Sequence, residues 1–259
     1  MGQDVKDTVR YRSVWISDTH LGTRGSQASL LEDFLRSVDC DHLYLVGDII
    51  DGWAMSRGRP YFPQRHVNVI RRILKKASLG TSVKYVIGNH DEFLRKYLDF
   101  LIHMPIGNIE LADEFVHVTA DGKKLWIIHG DLYDGVVRIH KWISHLGDMG
   151  YSVLLRLNRH FNKIRKWMGF PYWSLSGAIK QKVKGAVNFI NDFEKAISTE
   201  CKKQGYDGVV CGHIHHAEIK DIDGITYYND GDWVESCTAL VEHMDGRLEL
   251  ITWHRITHE

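Results

Sequence analysis

The chain is short of several things that steer a fold. Its four cysteines, Cys40, Cys201, Cys211 and Cys237, lie far apart and form no CxxC pair. That spacing argues against a disulfide framework and against a thiolate metal site, and it suits a reducing compartment. Proline is scarce, 4 in 259 residues, which leaves no Pro-rich linker or collagen-like run. Net charge is missing as well: Lys+Arg 33 balances Asp+Glu 33, so charge alone predicts no nucleic-acid partner. No apolar run approaches the ~18 residues of a bilayer span. The stretch from Met1 to Arg12 is polar, with no apolar h-region. Lys6 stands where an N-myristoylation signal takes Ser or Thr. The expectation is a cytoplasmic chain, peripheral at most on the inner membrane.

What is present is 44% hydrophobic residues and 16 histidines. The first suffices for one full core, or a core with an insertion; the second is rich in a common metal ligand. Apolar runs predict strands at Tyr11 to Ser17, His42 to Val46 and Val83 to Ile87. The pairs Val116 to Thr119 and Leu125 to Ile128 flank an Asp121-Gly122 turn and predict a hairpin. Helical spacing appears over Leu30 to Val38 and again at Val67, Ile70, Ile73 and Leu74. Strands return at Val209 to Cys211, at Ile219 and at Ile225 to Tyr228. A final pair, Ala239 to Met244 and Arg247 to Trp253, is joined by Asp245-Gly246. Helices early and meandering strands late predict an α/β fold of two stacked sheets with helices outside.

The segment 135–201 stands apart, with apolar residues at helical spacing and no strand signal. From Gly135 to Gly185 it carries 10 Lys/Arg against one acid, Asp148, so 10 − 1 gives +9. We expect a core over residues 1–134 and 202–259, with 135–201 a basic helical insertion. Such a balance, together with its tryptophans, also suits an anionic membrane surface.

Five motifs each end an apolar run: Asp18-Thr-His20, Gly47-Asp48-Ile-Ile-Asp51-Gly52, Gly88-Asn89-His90-Asp91, His129-Gly-Asp131 and Gly212-His213-Ile-His215. In open α/β sheets the carboxyl ends of parallel strands line one crevice, so these residues are expected to converge. Period-2 spacing is expected to aim both ligands of Asp18-x-His20, and of His213-x-His215, to one side. Gly47, Gly88 and Gly212 are expected to let backbone and metal approach closely. Aspartates, an asparagine and imidazoles without thiolate suit Mn, Zn or Fe(II) in a paired site. Each motif alone is common; His66, His117 and His243, outside them, read as partly exposed or hydrogen-bonded imidazoles.

The ordered set resembles the calcineurin-like metallophosphoesterase superfamily over Asp18 to His215. The resemblance implies a four-layer αββα sandwich and two divalent metal ions, Mn foremost, activating hydroxide for attack on phosphorus. By position, Asp18, His20 and His215 would bind one ion and Asn89, His129 and His213 the other. Asp48 would bridge them, and His90 would face the phosphate, as a contact or as a proton donor. Asp51 and Asp91 are expected either to orient ligands or to cap turns. Within the superfamily the chain is most similar to the UDP-2,3-diacylglucosamine hydrolases of the lipid A pathway, in size, in the insertion after His129-Gly-Asp131 and in Gly231-Asp-Trp233. That implies a pyrophosphate substrate, an anionic nucleotide-linked glycolipid, split to UMP and an acylated sugar phosphate. Asn89, His90, Asp134, Arg138 and Lys184 are the expected substrate contacts. Trp142, Leu146, Leu154, Leu157, Phe161 and Trp167 are expected to line an acyl chamber. One departure stands: the best-known of those hydrolases carry Arg after the Asn, and this chain has His90, the commoner choice in the superfamily. An alternative is therefore a phosphodiesterase or nuclease on nucleotides or nucleic acid, with Tyr151, Phe161 and Trp167 as stacking surfaces, or a general metallophosphatase. A metal-free scaffold, like the phosphoesterase-like subunit of the retromer coat, would have lost ligands; here all seven are present.

Overall fold

The computed structural model describes residues 8–57, 60–97, 107–133, 168 and 184–254. The first five strands are β1 (Val9–Ile16), β2 (Val38–Val46), β3 (Ser82–Val86), β4 (Ile109–Ala112) and β5 (Glu114–Val118). The next six are β6 (Lys124–Ile128), β7 (Gly208–Cys211), β8 (Glu218–Ile222), β9 (Ile225–Asn229), β10 (Thr238–Glu242) and β11 (Leu248–Thr252). They form two sheets, ordered β11-β10-β1-β2-β3-β4 and β5-β6-β7-β9-β8. Strands β1 to β4 run parallel in the first sheet, as do β6, β7 and β9 in the second. The outer pairings, β1 with β10, β10 with β11, β5 with β6 and β8 with β9, are antiparallel.

Alternation along the strands sorts the core into two layers. Val14 and Ile16 of β1, Leu43 and Leu45 of β2, and Ala239 and Val241 of β10 face the helices α1 (Ala28–Ser37) and α3 (Gln64–Ser78). Their neighbours Trp15, Tyr44, Val46 and Leu240 face the other way, against Leu125, Ile127, Val210 and Tyr228 of the second sheet. A pleated strand buried on both faces has this signature. Between α1 and α3 lies the short helix α2 (Gly52–Ser56). Helix α4 spans Lys184–Lys203. At its C-terminal end Lys202 Nζ donates to Asp223 O at 2.8 Å, on the β8–β9 turn. The chain divides into two compact units, Met1–Asp131 with Ser198–Glu259, and Leu132–Ile197. Asp134 and most of the basic segment, including Arg138 and every expected acyl-chamber residue, lie outside the described residues. Lys184 is the first residue of α4. Among the described residues no helix is long and apolar enough to cross a membrane.

One local expectation differs from the structure, and two details were not anticipated. Val38 belongs to β2 and not to the preceding helix: its φ and ψ, −125° and 133°, are already extended, as suits a β-branched residue. Leu74 is 46% exposed, and the buried stripe of α3 runs through His66, Val69, Ile73 and Ala77 instead. Strand β4 had no clear signal, being four residues with one apolar pair.

Beside the middle of β1, buried polar groups staple the sheets together. Glu242 accepts from Ser13 Oγ at 2.7 Å, from Arg12 Nη1 at 2.8 Å and from the Ala120 N–H at 2.8 Å. His117 Nε2 lies 2.8 Å from the same carboxylate, and its Nδ1 lies 2.9 Å from Tyr44 Oη. Burial alone would raise the Glu242 pKa, but the bonds from His117, Ser13 and Ala120 hold it down at about 2, against an ordinary 4.5. A depressed carboxyl contributes stability that is present above pH 4.5 and is lost as pH falls through about 2. Glu242→Gln is therefore expected to cost about 2–3 kcal/mol at pH 7. The gap from wild type in urea midpoints should close between pH 4.5 and 2; a gap independent of pH would refute the assignment.

Candidate metal centre

Six parallel strands, β1, β2, β3, β6, β7 and β9, deliver their carboxyl ends to one region, and the motif residues occupy the turns that follow. The turns after β1 and β2 are zipped by backbone bonds: Asp18 N–H to Gly47 O at 3.1 Å, His20 N–H to Asp48 O at 2.9 Å and Leu21 N–H to Ile49 O at 2.9 Å. On the other side Trp233 N–H donates to Asp18 O at 3.2 Å, and Ser17 Oγ donates to the buried Asp230 at 2.6 Å.

Three clusters of ligand-type groups result, each with its atoms within 4.8 Å of one another: Asp18, His20 and His215; His20, Asp48 and His90; Asp48, His129 and His213. Asp48 occurs in two of them. Its Oδ2 lies 3.4 Å from His129 Nε2 and 3.9 Å from both His20 Nε2 and His90 Nε2, while its Oδ1 accepts the His90 N–H at 2.8 Å. Asn89 Oδ1 is 3.3 Å from His129 Nε2. His215 Nε2 is 3.0 Å from Asp18 Oδ1. Thus Asp18, His20, Asp48, Asn89, His90, His129, His213 and His215 are brought together.

The local cause differs from the one expected. Asp18, His20, Asp48, His213 and His215 all have positive φ, between 45° and 66°, and they are five of the seven non-glycine residues of that kind among those described. Left-handed turns, not strand pleat, aim these side chains, and His213 and His215 accordingly enter different clusters. Such conformations cost of order 1–3 kcal/mol each and persist where the surroundings over-determine them. The glycines serve neighbouring side chains. A Cβ on Gly47 would meet the His129 ring, on Gly88 the Asp48 carboxylate, and on Gly212 Ser17 and Asp18.

The electrostatics fit a cation. Burial opposes ionisation of Asp48, yet His129, His20 and His90 hold its carboxyl well below the usual range. Asp18 is likewise held low against burial by His215 and His129. Burial also disfavours charge on the imidazoles, but Asp48 and Asp18 push His129 well up. The Asp51 hydrogen bond, with Asp48 and Asp18, takes His20 to about 9. Without metal, then, protons on His20 and His129 balance the carboxylates, a task divalent ions would take over on binding, releasing those protons. His215 Nδ1 is buried with no hydrogen-bond partner, and Asp18 Oδ1 has the His215 Nε2 contact at 3.0 Å. His129 Nδ1 faces Val46 O at 2.9 Å; donating there makes Nε2, beside Asp48 and Asn89, the nitrogen that would hold an ion once its proton is released.

Asp51 both orients and caps. Its Oδ2 lies 3.1 Å from His20 Nδ1 and 3.0 Å from His90 Nδ1, and its Oδ1 accepts the Ala54 N–H at 2.6 Å at the start of α2. Asp91 touches no ligand-type side chain among its described bonds; its Oδ2 accepts from Tyr85 Oη at 2.9 Å and from the Ile49 N–H at 3.3 Å. Burial and the charge of Asp48 raise it to about 7. Sequence reasoning passed over Asp230, although it too follows a strand directly. The bland readings of His66, His117 and His243 hold: His66 is buried and accepts the Gly22 N–H at 3.0 Å, and His243 pairs with Glu249 at 2.9 Å.

The Calcineurin-like phosphoesterase family model matches residues 11–217. The chain belongs to that family. It is a phosphoester hydrolase of the metallophosphoesterase type, and the family implies divalent metal ions at the clusters above. Curated relatives of this phosphoesterase include the UDP-2,3-diacylglucosamine hydrolase of Haemophilus influenzae, 25% identical over 89% of this chain and 94% of that protein. The protein of the same name from Neisseria meningitidis serogroup B is 25% identical over 90% of this chain and 93% of its own length. Among solved structures, an archaeal phosphodiesterase aligns with a TM-score of 0.45 at 12% identity, over 93% of this chain and 98% of that one.

Proposed function

We propose that this phosphoesterase cleaves the pyrophosphate of UDP-2,3-diacylglucosamine or a similar nucleotide-linked lipid precursor, giving UMP and an acylated sugar 1-phosphate. The observation that carries the hydrolytic part is Asp48, shared by two ligand clusters on the ends of parallel strands. The substrate rests on relatives of that name aligned over nearly their whole length. Asp18, His20 and His215 would hold one ion and Asn89, His129 and His213 the other, with Asp48 common to both and manganese the first choice over zinc or iron. When bound, such a pair supplies Lewis acidity at the phosphoryl oxygens and a water of lowered pKa. The chain's own groups do the rest. Asp51 holds His20 and His90 by their Nδ1 atoms, which leaves His90 Nε2 to meet a phosphate oxygen or to protonate a departing alkoxide. Asp134, Arg138 and Lys184, at the insertion, complete the proposed substrate contacts.

Histidine at position 90 also favours a second reading, a phosphodiesterase acting on nucleotides, because an alkoxide leaving group needs a proton and a pyrophosphate does not. Incubation with UDP-2,3-diacylglucosamine and manganese is expected to release UMP from wild type. No UMP, alongside good turnover of bis-p-nitrophenyl phosphate, would replace the first reading with the second.

A further inference from the structure

We propose that Trp53 is a positioning residue that fixes the plane of the His90 imidazole; this rests on the reading of His90 as the group facing phosphate. The His90 ring is held on three sides. Its Nδ1 lies 3.0 Å from Asp51 Oδ2, and its ring meets that of His20 edge-on, centroids 4.7 Å apart at 89°. The third contact comes from outside the ligand set: the Trp53 indole lies against it, centroids 4.3 Å apart and tilted by 38°.

Trp53 has no ligand atom to offer a metal and stands second in α2, just past Asp51. Its own orientation is set by Nε1–H donating to Glu92 Oε1 at 3.3 Å. Glu92 opens the 3-10 turn Glu92–Tyr97, two residues beyond His90. The indole is therefore tied to the same loop on which it presses, and α2 and that loop are further joined where Gly52 N–H donates to His90 O at 3.0 Å.

The physical need is plain. The His90 side chain is 25% exposed, and its Nδ1, close to Asp51 but outside hydrogen-bond geometry, does not by itself stop the ring turning. Turning would carry Nε2 out of reach of a phosphate oxygen. An aromatic face against the imidazole restricts it to one plane, and small misplacements of a reacting group are costly in rate, about 10²-fold for 1 Å. Trp53 belongs to none of the five motifs, and an aromatic two residues after Asp51 is the only sequence signal that points to it.

The test uses the full chain loaded with manganese and bis-p-nitrophenyl phosphate as probe. Trp53→Ala is expected to lower kcat about tenfold with KM changed less than about twofold, and Trp53→Phe to keep most of the rate. In a His90→Ala background, Trp53→Ala should cost nothing further. An equal loss in both backgrounds, or a loss carried by KM, would overturn the proposal, the second because Trp53 would then be touching substrate. A His90→Ala enzyme with undiminished kcat would remove the role given to His90 and this proposal with it. Proton NMR of the His90 ring in the metal-free protein distinguishes the two failures. An upfield ring-current shift that disappears in Trp53→Ala would leave the stack intact and place the error in the role of His90; no such shift would place it in the stack.

Discussion

Asp48→Asn is expected to lower phosphoester turnover on the order of a thousandfold or more, and to reduce bound manganese from two ions per chain to one or fewer. Asparagine keeps the shape, so the backbone N–H of His90 retains its acceptor at Oδ1. What is lost is charge at the atom that lies within 3.4–3.9 Å of His129, His20 and His90. A neutral amide oxygen bridges two cations poorly. In the metal-free site it also leaves His129 without its closest counter-charge, and His20 with only Asp51 and Asp18. The same substitution should therefore bring the His20 titration down from about 9, readable by NMR without any metal. Since a raised imidazole contributes stability present below its ordinary pKa of 6.5 and lost as pH rises through the folded value, the metal-free wild type should lose stability between about pH 6.5 and 9, and Asp48→Asn should lose less. Two ions retained by Asp48→Asn, with activity within tenfold of wild type, would remove Asp48 from the centre of the account.

The strands carrying the site were legible because they are buried on both faces. Continuous apolar runs such as Leu43 to Val46 cannot sit at a surface, and the polar residues that end them mark the sheet's rim. Which residues meet there was legible only as a set; Asp18 and His215 are 197 positions apart, and nothing local to either names the other. The turn geometry was not legible. Asp-x-His and His-x-His look like strand alternation, yet left-handed φ values at Asp18, His20, His213 and His215 do the aiming. A local pattern cannot reveal a conformation that only tertiary contacts hold in place. The same limit hid Ser17 and Asp230, whose pairing spans 213 residues, and β4, whose pairing with β3 and not its composition makes it a strand. For the basic insertion, the +9 balance of residues 135–185 remains a property of sequence.

Trp233→Ala is expected to be the most destabilising single change outside the ligand set, costing about 3–5 kcal/mol in urea unfolding of the metal-free protein. The indole is fully buried and packs on Phe34 of α1, centroids 5.2 Å apart, so truncation leaves a cavity that α1 cannot close without shifting on the sheet. The effect should reach the site through the backbone. Trp233 N–H donates to Asp18 O, and Trp233 O accepts the Gln27 N–H at 2.8 Å, so one residue ties the Asp18 turn to the start of α1. Asp18 sits at φ 48°, a conformation that relaxes if the surrounding ties loosen. Manganese affinity should consequently fall together with stability. Trp233→Phe separates the two effects: it keeps most of the packing and both backbone bonds, and removes an indole N–H that is buried without a partner. It should therefore bind manganese as wild type does, at a cost well under half that of alanine. Equal loss of metal affinity in the phenylalanine and alanine variants would mean that the indole ring, and not the backbone it carries, supports Asp18.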